Sequence, residues 1–247
     1  MKPYYEKDGH IIYHGDCLEI LSSFEGKSID LIWTDPPYGN DNGAGDWAQS
    51  RVGVKGARKA PLEPISNDSE KAWKSILPRF LKLSAPLLKL QSAFCCTISG
   101  GGGSPPRFAQ LATLIDAEMR FFQAVVWDKS SRGNGLGWRY RRNYEFIMVA
   151  HPKSGKLGWA DESVAVPNIT RIAPEPNQFH PTQKPPSLVA QFIHWHTRKG
   201  DLVVDPFMGS GSTLVAARDL NRKSIGIEID EKYCEIAADR LRQEVLF

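Results

Sequence analysis

The sequence predicts an α/β fold, a largely parallel sheet with helices on both faces. Three observations predict it. Short β-branched or aromatic runs alternate with helical patterns along the chain. Several of those runs are apolar throughout, as strands covered on both faces are. The chain of 247 residues, 41% of them hydrophobic, suffices for one substantial core but not for two ordinary domains and a linker. The expectation is one domain spanning residues 1–247 and carrying functional insertions.

Taken in order, strands are expected at Asp30 to Thr34, Ala93 to Ser99, Phe122 to Trp127, Phe146 to Ala150, Leu202 to Asp205 and Ser224 to Ile229. Helices are expected at Ser69 to Leu90, Pro106 to Ala117, Pro186 to His196, Ser212 to Leu220 and Glu231 to Leu246, with Pro78 and Pro86 interrupting the first. Two stretches break the alternation: residues 39–67, rich in Gly and basic residues, and residues 151–185, rich in Pro, Asn and Gly. Long irregular segments inside a compact domain are usually functional loops. Ser99 to Ser104 reads as a loop after a strand, because no change of composition marks a boundary there.

A net charge of +3 is too mild to identify a nucleic-acid binder, so the distribution of charge matters more. Cys17, Cys95, Cys96 and Cys234 show no CxxC spacing and read as reduced thiols in core positions. Met1-Lys2-Pro3 leads into polar and aromatic residues, and nowhere do about eighteen apolar residues run together. A soluble, cytoplasmic protein with no membrane partner is expected. His194 and His196 stand two apart on a helix and point to different faces, which argues against a metal site.

Three motifs carry chemistry. The first, Asp30-Leu31-Ile32-Trp33-Thr34-Asp35-Pro36-Pro37-Tyr38, is an apolar strand ending in a rigid, acidic, aromatic tip. In open α/β sheets, ligands sit at the carboxyl ends of strands. Two prolines fix φ and remove backbone donors, leaving carbonyls free to accept. An amino group conjugated to a purine ring is a poor nucleophile, because its lone pair is delocalised. A carboxylate and a proline carbonyl accepting its two N–H bonds would favour the pyramidal nitrogen formed during attack. Tyr38 could stack on an extruded base. Read alone, the same residues also fit a strand-terminating turn.

The second motif, Leu202-Val203-Val204-Asp205-Pro206-Phe207-Met208-Gly209-Ser210-Gly211-Ser212-Thr213, is a buried strand running through a glycine turn into a helix. Its glycines let the backbone approach a ligand, and the helix presents its N–H groups. Glu228 ends the next strand, where an acid can accept both ribose hydroxyls. The pattern places an adenosine. A dinucleotide fingerprint needs a small residue where Leu214 stands, and Asp205 would sit badly beside a pyrophosphate. A carboxylate facing a methionyl ammonium makes better electrostatic sense, which favours S-adenosylmethionine over NAD. The third motif, Phe179-His180-Pro181-Thr182-Gln183-Lys184-Pro185-Pro186, is a proline-bracketed loop entering an apolar helix. It fits a rigid helix start, or a loop in which Lys184 neutralises the cofactor carboxylate.

Together these motifs resemble the amino-methyltransferase family of DNA methyltransferases. Asp35, Pro36, Pro37 and Tyr38 fit its D/N/S-P-P-Y/F/W catalytic motif, and Phe207, Gly209 and Gly211 fit its F-x-G-x-G cofactor motif. The order, catalytic motif first, resembles the circularly permuted β group, as does the loop at His180 to Pro185 ahead of the cofactor motif. The resemblance implies a Rossmann-like S-adenosylmethionine-dependent methyltransferase fold, a mostly parallel seven-stranded sheet with one antiparallel strand. It implies S-adenosylmethionine as cofactor and S-adenosylhomocysteine as product. Implied cofactor residues are Asp205, Phe207, Gly209, Ser210, Gly211, Ser212, Thr213, Glu228, Lys184 and, ahead of the catalytic strand, Asp16 and Cys17. Asp at position 35 is typical of adenine N6 enzymes and Ser of cytosine N4 enzymes, so adenine in double-stranded DNA is the expected target, flipped into the pocket. Cytosine N4, RNA and protein glutamine present similar nitrogens and remain alternatives, as do an NAD-linked oxidoreductase and a non-catalytic binding module.

DNA contacts are expected from two basic segments. Arg51, Lys55, Arg58 and Lys59 follow Tyr38 in the glycine-rich insertion, where they can neutralise phosphates. Arg139, Arg141 and Arg142, with Arg132, interleave with Trp138, Tyr140 and Tyr144, which suits a backbone or an unpaired base. Both also fit solvated cationic loops. The resemblance assigns target recognition to about 151–178, a span short for reading a long site. It leaves room for a homodimer that shares the DNA, and for a companion restriction endonuclease.

Overall fold

The structure is a computed structural model and describes residues 2–39, 69–99, 106–130, 143–175, 179–180 and 183–243. The run Ile29–Thr34 (β3) is buried at every position. Its side chains alternate between the two faces of a sheet. Ile32 joins Phe94 and Cys96 in one apolar cluster, while Leu31 and Trp33 join Ala93 and Cys95 in another. The four cysteines are free and buried, as expected.

The strands before β3 are β1 (Tyr5–Lys7) and β2 (His10–His14), followed by helix α1 (Cys17–Leu21). After it come α2 (Glu70–Ser84), β4 (Leu88–Ser99), α3 (Arg107–Glu118), β5 (Arg120–Asp128), β6 (Tyr144–His151), β7 (Lys156–Leu157) and β8 (Ile169–Arg171). The chain continues through α4 (Pro186–His196), β9 (Leu202–Asp205), α5 (Ser212–Asp219), β10 (Lys223–Glu228) and α6 (Glu231–Arg242). The sheet runs β1-β2-β10-β9-β3-β4-β6-β5-β8, with β7 paired to β4. Its central seven strands, from β2 to β5 in that order, are parallel except β6, which is antiparallel to both neighbours. This is the Rossmann-like sheet with one reversed strand. Helices cover both faces, since α1, α2 and α3 pack on the Ile32 side and α4 and α5 on the Trp33 side.

Several boundaries differ from expectation for physical reasons. The helix expected to reach Leu90 ends at Ser84, where Ala85–Leu87 tighten into a 3-10 turn around Pro86 and the chain becomes strand at Leu88. Pro78 is carried inside the helix. The hairpin β1–β2 was not expected, although Asp8-Gly9 is a hairpin signal. Both residues have positive φ, 52° and 83°, as a two-residue type I′ turn requires. Two short strands, β7 and β8, lie in the stretch read as irregular, each too short to show alternation. Among the described residues no helix is long and apolar enough to cross a membrane.

The topology makes one crevice. Strands β9 and β3 are neighbours, pairing Leu31 with Val203 and Ile32 with Val204. From β3 the chain proceeds through α2 to β4 on one side; from β9 it proceeds through α5 to β10 on the other. The two crossover helices pack on opposite faces, α2 against Ile32 and α5 against Trp33. Such a reversal opens a crevice outside the carboxyl ends of the two strands.

Candidate active site

Asp35 emerges from β3 directly into that crevice. Its Oδ1 accepts the Tyr38 hydroxyl at 2.5 Å and also the hydroxyl of Thr97, while Oδ2 accepts the Lys184 ammonium at 2.5 Å. Tyr38 also reaches Thr97 at 3.1 Å, so the Asp35-Pro36-Pro37-Tyr38 turn closes back on its own first residue and on β4. Lys184 arrives just ahead of α4 with its side chain 9% exposed, and its ammonium lies 3.5 Å from Glu145 Oε2. Burial pushes the Asp35 carboxyl up, but the Lys184 charge and the bonds from Lys184, Thr97 and Tyr38 outweigh it and hold it below the ordinary carboxylate range. Asp35 is therefore ionised at neutral pH. Burial and the Asp35 and Glu145 charges drive the Tyr38 hydroxyl well above its usual value, so it remains a donor.

Asp205, at the end of β9, has neutral partners. Oδ1 accepts Phe207 N–H at 3.1 Å and Oδ2 accepts the Thr213 hydroxyl at 2.5 Å. Burial raises its carboxyl to about 7, despite those two bonds, and the Asp35 and Glu228 charges push the same way. Past it, Phe207 packs edge-on against Phe80 at 5.2 Å, and Met208 N–H is held by Ile227 O at 3.0 Å. Gly209 and Gly211 have φ of 50° and 80°. A Cβ on Gly211 would stand 2.7 Å from Ala237 Cβ, so close approach to α6 as well as φ demands glycine there.

Glu228 ends β10 beside this turn. Oε2 accepts Gly209 N–H at 3.0 Å and Oε1 accepts Asp230 N–H at 2.9 Å, leaving lone pairs for further donors. Its main-chain oxygen holds Gly15 N–H at 2.9 Å, which brings the end of β2 alongside. Asp16 then caps α1 by accepting Leu18 N–H at 2.7 Å, and Cys17 is buried, its thiol pushed by burial to about 12. Ser210 is buried, its carbonyl accepting from Arg240 at 2.6 Å. The Ser212 hydroxyl, at the start of α5, is buried with no hydrogen-bond partner among the described residues. An orphan hydroxyl, an acid with unused lone pairs and a buried carboxylate with no cation among the described residues suit an adenosine carrying a cationic tail.

The structure thus brings Asp35, Pro36, Pro37, Tyr38 and Lys184 to one lip of the crevice, and Asp205, Phe207, Gly209 to Thr213 and Glu228 to the other, with Asp16 and Cys17 beyond. Lys184, expected to face the cofactor carboxylate, has its ammonium on Asp35 and Glu145 here. Sequence reasoning missed Thr97 and Glu145. Their only signal was position, at the crevice ends of β4 and β6. Arg51, Lys55, Arg58, Lys59, Arg132, Arg139, Arg141 and Arg142 lie outside the described residues, as do parts of the loop at 179–186 and of the 151–178 segment. His196 is buried with Nδ1 2.7 Å from Gly158 O, and burial lowers it to about 4, which keeps it neutral.

Comparison with known proteins agrees with this geometry. The chain is 28% identical to the type II methyltransferase M2.DpnII of Streptococcus pneumoniae, over 98% of this chain and 93% of that protein. It superposes on the crystal structure of the M1.HpyAVI-SAM complex with a TM-score of 0.68 at 25% identity, over 94% of this chain and 98% of the other. The fold is also that of the cytosine-N4-specific PvuII DNA methyltransferase, with a TM-score of 0.75 at 23% identity over 100% of this chain and 91% of the other. The N6/N4 methyltransferase family, described as DNA methylase, matches residues 29–239, and this chain belongs to it.

Proposed function

We propose that this DNA methyltransferase transfers a methyl group from S-adenosylmethionine to the N6 amino group of an adenine flipped out of double-stranded DNA. The observation that carries the reading is Asp35, ionised and fixed by three donors at a crevice lip beside the cofactor-type turn of β9. Asp in the first position of the catalytic motif favours adenine over cytosine. S-adenosylmethionine is the methyl donor, and it supplies a carbon made electrophilic by its sulfonium. The target nitrogen would gain that methyl group in exchange for one of its protons, with the sulfonium neutralised to the thioether of S-adenosylhomocysteine.

Within that reaction Asp35 accepts one amino N–H and a proline carbonyl of the turn the other, which favours the pyramidal nitrogen. With its carboxyl held below the ordinary range, Asp35 is an ionised acceptor but a weak base. The proton therefore leaves to water after transfer rather than to Asp35 before it. Tyr38, tethered through its hydroxyl, presents its ring for stacking on the base. Asp205 would face the methionyl ammonium and Glu228 the ribose, Phe207 with the Gly209 to Thr213 turn would line the site, and Asp16 and Cys17 would border the adenine. Arg51, Lys55, Arg58, Lys59, Arg139, Arg141 and Arg142 neutralise phosphates, so DNA affinity should fall steeply with salt; a flat response would remove them from the interface. A homodimer sharing the DNA would compensate for the short recognition segment, and a companion restriction endonuclease fits the type II relatives.

The test is incubation of the purified protein with labelled S-adenosylmethionine and unmethylated mixed-sequence duplex DNA, followed by nucleoside mass analysis. N6-methyladenine is the expected product. N4-methylcytosine would keep the mechanism and correct the base, while the absence of any methylated nucleoside would overturn the reading.

A further inference from the structure

The acceptor role of Asp35 raises a problem that the surrounding charges answer. An amino group arriving at Oδ2 competes with the Lys184 ammonium already there at 2.5 Å. The same ammonium opposes the positive charge that grows on the nitrogen during transfer. Removing a buried ammonium from its only partner would be costly. Lys184 has a second one. Glu145, at the crevice end of antiparallel β6, lies between Ser99 of β4 and Trp127 of β5. Its side chain is 14% exposed and its Oε1 is held by Lys129 at 2.5 Å. Its Oε2 is buried, makes no hydrogen bond among the described residues, and stands 3.5 Å from Lys184 Nζ, a charge contact with room to close. Asp35, Lys184, Glu145 and Lys129 form a neutral chain of alternating sign, so Lys184 can shift along it without leaving its own charge unpaired, while the Asp35 carboxylate takes the amino N–H in its place.

We propose that Glu145 is a positioning residue: it draws Lys184 off Asp35 Oδ2 when the target amino group arrives, and Lys129 keeps its carboxylate in place to do so. The proposal rests on Asp35 as the acceptor of that amino group. In the resting site Lys184 holds Asp35 ionised; in the loaded site Glu145 holds Lys184, and the acceptor faces its substrate unopposed.

The test compares Glu145→Gln with wild type in single-turnover methyl transfer to unmethylated mixed-sequence DNA, alongside calorimetric binding of S-adenosylmethionine and the KM for DNA. The transfer rate should fall about tenfold, equivalent to about 1.4 kcal/mol, with cofactor affinity and KM within about twofold of wild type. The double variant Lys129→Met with Glu145→Gln restores net neutrality and should remain slow. Should E145Q fail to fold, Lys129→Met alone, at a site 27% exposed, should lower the same rate by about threefold without moving KM. Wild-type rates in E145Q, or recovery in the double variant, would overturn the role of Glu145 alone. Wild-type protein that methylates no DNA would overturn the acceptor role of Asp35 and this proposal with it.

Discussion

The ends of β3 and β9 are adjacent strand tips, each with a buried or half-buried aspartate, and they solve opposite problems. The β3 tip is built from prolines and carries its own cation; the β9 tip is built from glycines and carries none among the described residues. Asp35 is consequently held below the ordinary carboxylate range, whereas Asp205, bonded by neutral donors among the described residues, is raised by burial to about 7. The contrast shows that a carboxylate's partner decides its task. On the proposed reading, Asp35 is complete without a ligand and would act on one, while Asp205 would be completed by a cation.

Removing the cation from the first tip should have the largest effect. Lys184→Met leaves Asp35 and Glu145 without their shared partner, and should cost about 3–5 kcal/mol of stability by denaturant melts and abolish methyl transfer. A variant that retains both would detach Lys184 from the chemistry.

The next effect sharpens the contrast through pH. If Asp205 must ionise to meet the methionyl ammonium, affinity for S-adenosylmethionine should fall by up to about tenfold per unit below pH 7. The Asp205→Asn variant should bind weakly and without that slope. A smaller effect has the opposite sign. The raised carboxyl of Asp205 contributes stability that is full below its ordinary value of 3.8 and is lost as pH rises through about 7. Asp205→Asn should therefore raise the melting temperature of the ligand-free protein by about 2–4 °C at pH 8 and not at pH 4. At the turn itself, Gly211→Ala forces a strained φ and a contact with Ala237, and should cost about 1–3 kcal/mol in thermal or denaturant unfolding.

The same contrast explains what was legible in the sequence. Both tips were, because a Pro-Pro or Gly-x-Gly turn after an apolar run is a local signal. Helix α4 was legible as Pro186–His196 for the same reason, a proline start and an apolar periodic face. Glu145 and Thr97 were not, because their partners come from distant strands and nothing local marks them. The Asp8-Gly9 hairpin was legible and went unread, and β8 is three residues long, too short to show a period. The end of α2 was misplaced because apolar residues at Leu87, Leu88 and Leu90 serve a helix and a strand equally well until tertiary pairing decides.

The division of labour between the tips is tested most directly by measuring S-adenosylmethionine binding and single-turnover methyl transfer for Asp35→Asn and Asp205→Asn side by side. Asp35→Asn should keep cofactor affinity within a few fold and lose transfer by about 100-fold or more, while Asp205→Asn should lose affinity by about 10- to 100-fold. Equal loss of cofactor binding in the two variants would contradict the account.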